Sequence, residues 1–431
     1  MTRILPALGL SLLLATTASG QEQPDAIPAV ERKPYSFDGF LEARPAIVWL
    51  DPRAAPFKLQ SPPGGTDDAL RTQLNARLQL DAGYRQSWFS VQTRTVADGG
   101  YASADWTGTA AVYEAYVSLK PRPSLTVDAG KKTLKWGKAY LWNPAAFLDR
   151  AKSPEDPALA LEGFAVVSAD YIRTFDGPLQ VISVTPVLLP VSSDLNRSFG
   201  ARGHLNVAGK LYLLLFDSDI DVMFLSGGSR PSRFGIDVSR NLWSNLEVHG
   251  EWARIPRAPK RTLTPAGTLM GTARAATSFV VGARYLTAQN TTYIIDYYRN
   301  GTGYTSAEMG TYFDVVTLAD EALTGAGDET LLEAARRATE AGYGRLNPMR
   351  SYLYGRVSQP DALGVLYLTV GVSAIVNIDD GSFALLPDVQ YRLDGRVELR
   401  GLANIQRGAR RTEFGEKPAD ARVELRVRYY F

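Results

Sequence analysis

Segments in which every second residue is apolar run through most of the sequence, and they constrain its fold more than any other feature. In the last segment, residues 422–431, apolar residues alternate strictly with charged or polar ones. Successive side chains of a β-strand point to opposite faces of the sheet, so this pattern predicts a strand with one apolar and one polar face. Residues 70–80 and 396–406 repeat the design. The chain is therefore expected to consist mainly of such strands.

About eighteen strands of this kind are predicted between residues 36 and 431. The connections between them alternate in length, short turns following long loops from one end of the chain to the other. The long connections include residues 138–162, 256–275 and 302–348. A soluble β-sandwich or propeller also alternates apolar and polar residues, but it would not sort its connections by length in this way. The pattern predicts an all-β, antiparallel, up-and-down transmembrane barrel with short periplasmic turns and long extracellular loops.

The N-terminus has the features of a secretory signal peptide. Arg3 precedes an apolar run over residues 4–15, and small residues follow. The run is shorter than the roughly 20 residues of a membrane-spanning helix, so cleavage is expected after residue 20. The predicted organisation is a signal peptide over 1–20, a periplasmic segment over 21–35 and a barrel over 36–431.

Composition excludes several function classes. The chain has no Cys and only two His, which removes thiol chemistry and leaves little for imidazole-based catalysis or metal binding. Its 47 Lys and Arg against 45 Asp and Glu give a formal charge of +2, so no basic field points to nucleic acid. Neither an enzyme nor a metal or other cofactor is expected.

The C-terminal sequence Arg-Val-Arg-Tyr-Tyr-Phe resembles the end of Gram-negative outer-membrane β-barrel proteins. In that family the barrel-assembly machinery recognises the last strand, so the resemblance implies that Tyr429 and Phe431 belong to this recognition signal. The resemblance also implies contact with outer-membrane lipids and lipopolysaccharide. The strand number is similar to that of maltoporins, monomeric substrate-specific porins and alginate-export channels. Residues 130–147 resemble the Trp-Gly segment of the alginate-export type, but no motif assigns the chain to one of these groups.

The polar faces of the last strands carry a candidate basic ladder. Its members are Arg392, Arg396, Arg400, Arg422 and Arg426. Acidic side chains share the same faces, namely Asp388, Glu398 and Glu424. Two interpretations remain open. Arginines lining an open pore would favour anions, whereas arginines paired with these carboxylates would simply fill a polar interior.

Two of the long loops are predicted to be structured. Residues 138–162 contain Pro144, Pro154 and Pro157, which favour turns and a compact conformation. Residues 302–348 contain a helix-forming stretch that starts at Asp328, a suitable N-cap, and stops at Gly342. This helix is expected either to plug the mouth of the barrel or to offer a docking surface.

Together these features predict an outer-membrane channel that passes or exports a polar solute or polysaccharide, which would be anionic if the arginines line an open pore. The alternative is a structural barrel that anchors or sheathes a periplasmic or cell-surface partner protein.

Overall fold

A computed structural model of the protein describes residues 33–60, 69–102 and 105–431. An 18-stranded antiparallel sheet closes on itself, because β1 pairs with β18 as well as with β2. The predicted fold class and strand number are confirmed. The expected signal peptide, residues 1–20, and nearly all of the expected segment 21–35 lie outside the described residues.

The strands follow one another around the barrel in chain order. Their bounds are β1 Tyr35–Leu50, β2 Leu70–Arg85, β3 Phe89–Ala102, β4 Asp105–Arg122, β5 Leu125–Lys132, β6 Phe164–Thr174, β7 Leu179–Val191, β8 His204–Leu215, β9 Ser218–Ser226, β10 Arg233–Trp243, β11 Leu246–Leu263, β12 Leu269–Leu286, β13 Thr292–Arg299, β14 Ser351–Gln359, β15 Leu368–Asn377, β16 Phe383–Arg392, β17 Val397–Arg407 and β18 Ala419–Tyr430. The helices are α1 Ala55–Gln60, α2 Ser306–Ala326 and α3 Thr330–Ala338.

The alternation of the sequence separates the two faces of the barrel wall. In β18 the side chains of Val423 and Leu425 are exposed on the outer face, while those of Glu424 and Arg426 are buried on the lumen face. An outer face of this kind suits the hydrocarbon core of a bilayer, and the polar groups are left for the lumen. Among the described residues, no helix is long and apolar enough to cross a membrane.

Aromatic side chains surround the two ends of the barrel. Trp88 and Trp243 are exposed at the end with short turns, and Trp106 is exposed at the end with long loops. Rings at this level match the aromatic girdles of membrane barrels. Trp136 and Trp142 are different, because they belong to a connection that enters the lumen.

The prediction of a loop over residues 256–275 is wrong. Most of these residues extend β11 and β12, whose pairing continues from Leu246 opposite Tyr285 to Leu263 opposite Leu269. Pro256 is the first residue of the predicted loop. It falls at the register shift between Ile255 and Ala258, and a bulge is a place where a strand tolerates proline.

The long connection between β13 and β14 holds two helices rather than one. The helix predicted from Asp328 is present as α3, although its N-cap is Glu329 and Asp328 accepts the N–H of Thr330 at 2.9 Å. A five-residue π-helical turn, Thr339–Tyr343, continues it through Gly342. The longer helix α2 was missed, even though Thr305 and Glu308 form a capping box at its start.

Helices α2 and α3 form a hairpin that packs into the long-loop end of the lumen. Val315, Val316 and Ala335 are fully buried in a cluster that also contains Tyr352 and Ile375 from the lumen faces of β14 and β15. The hairpin is thus part of the barrel interior and narrows its mouth.

Candidate functional site

The connection between β5 and β6, residues 133–163, folds into the lumen and is called the constriction loop below. Asp149 fixes its base, because this carboxylate accepts the N–H groups of Leu134, Lys135 and Trp136 at 3.2, 3.0 and 2.7 Å. The loop contains no regular helix or strand. Its conformation therefore depends on side chains of the barrel wall.

Carboxylates of β9–β13 bind the first half of the constriction loop. Glu251 Oε1 accepts the N–H groups of Lys138 and Ala139 at 2.6 and 2.8 Å, and the Asn143 amide at 2.7 Å. The Lys138 ammonium lies 3.0 Å from Asp221. Buried carboxylates are stable when they accept several charge-assisted hydrogen bonds. This acidic part of the wall therefore anchors the loop.

Arginines of β17 and β18 bind the second half. Asp156 Oδ2 lies 3.1 Å from Arg400 Nη1 and 2.6 Å from Arg426 Nη1. Glu155 accepts the Asn404 amide at 2.9 Å and lies 3.6 Å from Arg422. The loop thus spans the lumen between an acidic and a basic part of the wall.

The five arginines of the expected ladder do not all lie in the same place. Arg400, Arg422 and Arg426 lie on the lumen face and contact the constriction loop. Arg392 lies 3.5 Å from Glu398 nearer the short-turn end. Arg396 is exposed in the turn between β16 and β17, where its N–H bonds to Asp394 at 2.7 Å.

The three expected acidic partners all contact arginines. Asp388 binds Arg400 through two hydrogen bonds of 2.9 and 2.8 Å. Glu424 lies 2.6 Å from Arg426, and Glu398 lies 3.9 Å from Arg428. The partners that the sequence did not reveal are Glu155 and Asp156, which come from the loop. Connections have no strand alternation, so nothing in their sequence shows which side chains face the lumen.

The expected C-terminal signal lies at the barrel seam. The backbone of Phe431 exchanges two hydrogen bonds with Gly39 of β1, both 3.1 Å long. The side chain of Tyr429 is exposed on the outer face. These two residues therefore lie where the last strand meets the first.

A cavity of about 1120 Å³ remains between the constriction loop and the wall. Its charged lining is mainly basic. The basic residues are Arg94, Lys135, Arg150, Lys152, Arg230, Arg233, Arg345, Arg392, Arg400 and Arg428, against the acidic Asp149, Asp156 and Glu398. Of these residues, the sequence analysis singled out Arg392, Glu398 and Arg400, whereas most of the others lie on connections or at their edges.

One side of this cavity is aromatic. Trp142 of the constriction loop stacks on Tyr298 of β13, with ring centroids 5.1 Å apart and planes 15° from parallel. The Trp142 indole N–H donates to Asn347 at 3.1 Å. The ring is held in place at both its face and its edge.

A closed barrel with an apolar outer face, a polar lumen and a long connection folded inside has the fold of the bacterial outer-membrane porins. Two solved structures from Pseudomonas aeruginosa illustrate the similarity. OccK5 (OpdH) superposes with a TM-score of 0.53 at 11% identity, over 92% of this chain and 98% of that one. OccK11 (OpdR) gives 0.51 at 13% identity, over 92% and 96%. No protein-family model matches the sequence, and no curated protein sequence matches it.

Proposed function

We propose that the protein is a passive channel of the Gram-negative outer membrane that favours small anionic solutes. The observation that carries this proposal is the charged lining of the cavity. Five of its ten basic residues are paired with carboxylates. The other five have no carboxylate within 4.0 Å in the described part of the chain, namely Lys135, Lys152, Arg230, Arg233 and Arg345. An excess of positive charge in a narrow passage with low-dielectric walls raises the local concentration of anions.

The space that remains free in the lumen favours small solutes over a partner protein. The constriction loop and the α2–α3 hairpin both occupy the interior and are held by buried contacts. A barrel that sheathes a partner protein would need that volume for the partner. A flexible polymer could pass only by threading the cavity lengthwise, so a small solute is the better fit.

The orientation follows from the connections. We place the short turns and both ends of the barrel, Tyr35 and Phe431, on the periplasmic side, as in outer-membrane barrels. The outer face then contacts lipid and lipopolysaccharide. In this orientation Tyr429 and Phe431 serve as the signal for the barrel-assembly machinery, and residues 1–20 serve as the export signal.

Reversal potentials across planar bilayers test the proposal. Purified full-length protein should conduct, and a KCl gradient should give a potential of the sign expected for chloride preference. The preference should be stronger at 0.1 M than at 1 M salt, because the Debye length shortens from about 10 to about 3 Å. Cation preference, or an absence of conductance, would contradict it. Arg396→Gln serves as a control. This arginine is exposed and does not line the cavity, so its replacement should leave the reversal potential unchanged.

A further inference from the structure

We infer that Arg230 and Arg233 form a binding site for a doubly charged oxyanion of the phosphate class in the wall of the cavity. Both residues line this cavity, next to the constriction loop. The inference deepens the proposed channel function, because it names the class of solute that the lumen would bind.

These two arginines differ from most others in the lumen in having no acidic partner. Lumen arginines commonly lie next to a carboxylate, as do Arg77, Arg94, Arg356, Arg400, Arg426 and Arg428. Among the residues that the structure describes, no carboxylate lies within 4.0 Å of Arg230 or Arg233. Two neighbouring positive charges are therefore left without compensation.

Both guanidinium groups keep N–H donors for a ligand. Arg230 donates from Nε to the Phe199 carbonyl and from Nη1 to the Phe147 carbonyl at 3.4 Å. Arg233 donates from Nε to the Pro231 carbonyl at 3.1 Å. Arg230 Nη2 and both terminal nitrogens of Arg233 have no protein partner in the described part of the chain. These donors can bind oxygens of a ligand in the cavity.

Aromatic rings hold the faces of the two guanidinium groups. The Arg230 guanidinium lies 4.0 Å from the centroid of Phe199, and that of Arg233 lies 5.9 Å from the centroid of Phe147. A guanidinium that stacks on a ring keeps its edge free for hydrogen bonding. This arrangement favours planar, two-point contacts with an oxyanion.

The short β9–β10 connection that carries Arg230 is rigid. The Asn206 amide of β8 donates to Ser229 Oγ at 2.8 Å, and the Ser229 carbonyl accepts the N–H of Ala201 at 2.9 Å. Gly227 adopts a φ of 138°, and a Cβ there would lie 2.4 Å from the Asn206 Cα. Only glycine fits this approach. The backbone next to Arg230 is therefore held in one conformation.

The electrostatics of the site favour two negative charges over one. Burial, together with the charges of Arg233 and Arg150, lowers the pKa of Arg230 to about 10, so the group stays protonated at neutral pH. Arg150 lies 2.8 Å from Glu162, a carboxylate that it shares with Lys131. A monocarboxylate would leave one of the charges of Arg230 and Arg233 uncompensated. A phosphate dianion matches both and, unlike a dicarboxylate, carries both charges and all its acceptor oxygens on one atom, within reach of two neighbouring guanidinium groups.

Isothermal titration of the full-length protein in detergent with inorganic phosphate tests this inference. Phosphate at pH 7.5 should bind saturably and more tightly than acetate, chloride or the dicarboxylate succinate. Arg233→Gln should weaken phosphate binding by about tenfold or more, as expected for the loss of hydrogen bonds to a charged group. Arg233→Lys keeps the positive charge but loses the paired N–H donors of the planar guanidinium, so it should give an intermediate affinity. Arg396→Gln should bind like the wild type.

Three results would overturn the inference: no saturable phosphate binding, equal or tighter binding of acetate or succinate, or unchanged phosphate affinity in Arg233→Gln. Folding of each variant is checked by its heat-modifiable migration, and Arg233→Lys keeps the test decisive if the Gln variant does not fold. Anion preference in bilayers without phosphate binding would defeat this inference alone. Phosphate binding without anion preference would defeat the proposed channel function alone.

Discussion

Asp156 of the constriction loop lies 2.6 Å from the Nη1 of Arg426, a residue of the strand that closes the barrel. Arg400 of the neighbouring strand lies 3.1 Å from the same carboxylate oxygen. Since all three side chains are buried or nearly so, solvent screens these ion pairs only weakly. One carboxylate thus holds the far side of the loop against the wall.

Replacing Asp156 with Asn should release this side of the loop. Arg400 and Arg426 keep Asp388 and Glu424 as partners, so the barrel itself should fold normally. We expect a larger and noisier single-channel conductance, because the loop loses its charged attachment. Glu155→Gln is the matched control and should have a smaller effect, since Glu155 is more exposed and lies 3.6 Å from Arg422. Identical traces for wild type and Asp156→Asn would show that other contacts hold the loop.

The same attachment should resist acid. Burial acts to raise the pKa of Asp156, but Arg400 and Arg426 outweigh it and hold the pKa below its ordinary value of 3.8. A depressed pKa means that the attachment is fully present above 3.8 and is lost only as the pH falls through the lower value of the folded state. The difference in conductance noise between wild type and Asp156→Asn should therefore be the same at pH 7 and pH 5. An increase in noise between these values in the wild type, absent from Asp156→Asn, would contradict this assignment.

Insertion of the barrel into lipid should tolerate a change of polarity on only one face of β18, the lumen face. Leu425 is 48% exposed on the outer face, and an arginine on the lipid-facing side near the bilayer midplane costs about 2–4 kcal/mol. Leu425→Arg should therefore slow or prevent folding into lipid vesicles, as followed by heat-modifiable migration. Arg426→Leu should still insert, with its effect confined to the constriction loop. Equal insertion yields for the two variants would invalidate the assignment of the faces.

How far the sequence could predict the fold depends on what surrounds each segment. Val423 and Leu425 face outward and Glu424 and Arg426 face inward, because a wall between an apolar and a polar environment imposes strict alternation. Asp156 and Arg230 lie on connections, where no periodicity marks the lumen side. Their role follows only from contacts with strands that are distant in the chain. The capping box at Thr305 was a local signal that could have revealed α2.

Removing the helical hairpin should enlarge the mouth and leave the barrel closed. β13 and β14 pair directly from Thr292 opposite Ser358 to Arg299 opposite Ser351, so their hydrogen bonds do not depend on the helices. Replacing residues 305–344 with a short Gly-Ser linker removes both helices together. Deleting α3 alone would instead expose Val315 and Val316 of α2, which are fully buried.

We expect the hairpin variant to fold and to have a higher single-channel conductance than the wild type. An unchanged conductance would show that the hairpin does not limit the passage and would favour a role as a surface for docking. The constriction loop should keep its own contacts with Glu251 and Arg426 in this variant. Anion preference should therefore persist, and its loss would assign the preference to the mouth rather than to the cavity.

Glu413 should make the stability of the long-loop end depend on pH. This carboxylate, in the connection between β17 and β18, accepts hydrogen bonds from the Tyr352 hydroxyl at 2.6 Å and the Asn377 amide at 2.9 Å. Burial raises its pKa from 4.5 to about 7, and Lys417 and the two hydrogen bonds oppose this only in part. Between these pH values the folded state binds more protons than the unfolded state, so stability falls as the pH rises. At about 1.4 kcal/mol per pKa unit, the loss amounts to roughly 3 kcal/mol at most.

Thermal unfolding of wild type and Glu413→Gln at pH 5 and pH 8 measures this loss. The wild type should be less stable at pH 8, and the neutral glutamine should remove most of the difference between the two pH values. Lys417 lies 3.6 Å from Glu413 and lowers its pKa, so Lys417→Met should act in the opposite direction and enlarge the difference. A pH dependence that is the same in all three proteins would assign it to other groups. Because Tyr352 belongs to the cluster that buries the α2–α3 hairpin, ionisation of Glu413 should also loosen the hairpin and increase amide exchange in α2 above pH 7, once the intrinsic pH dependence of exchange is subtracted.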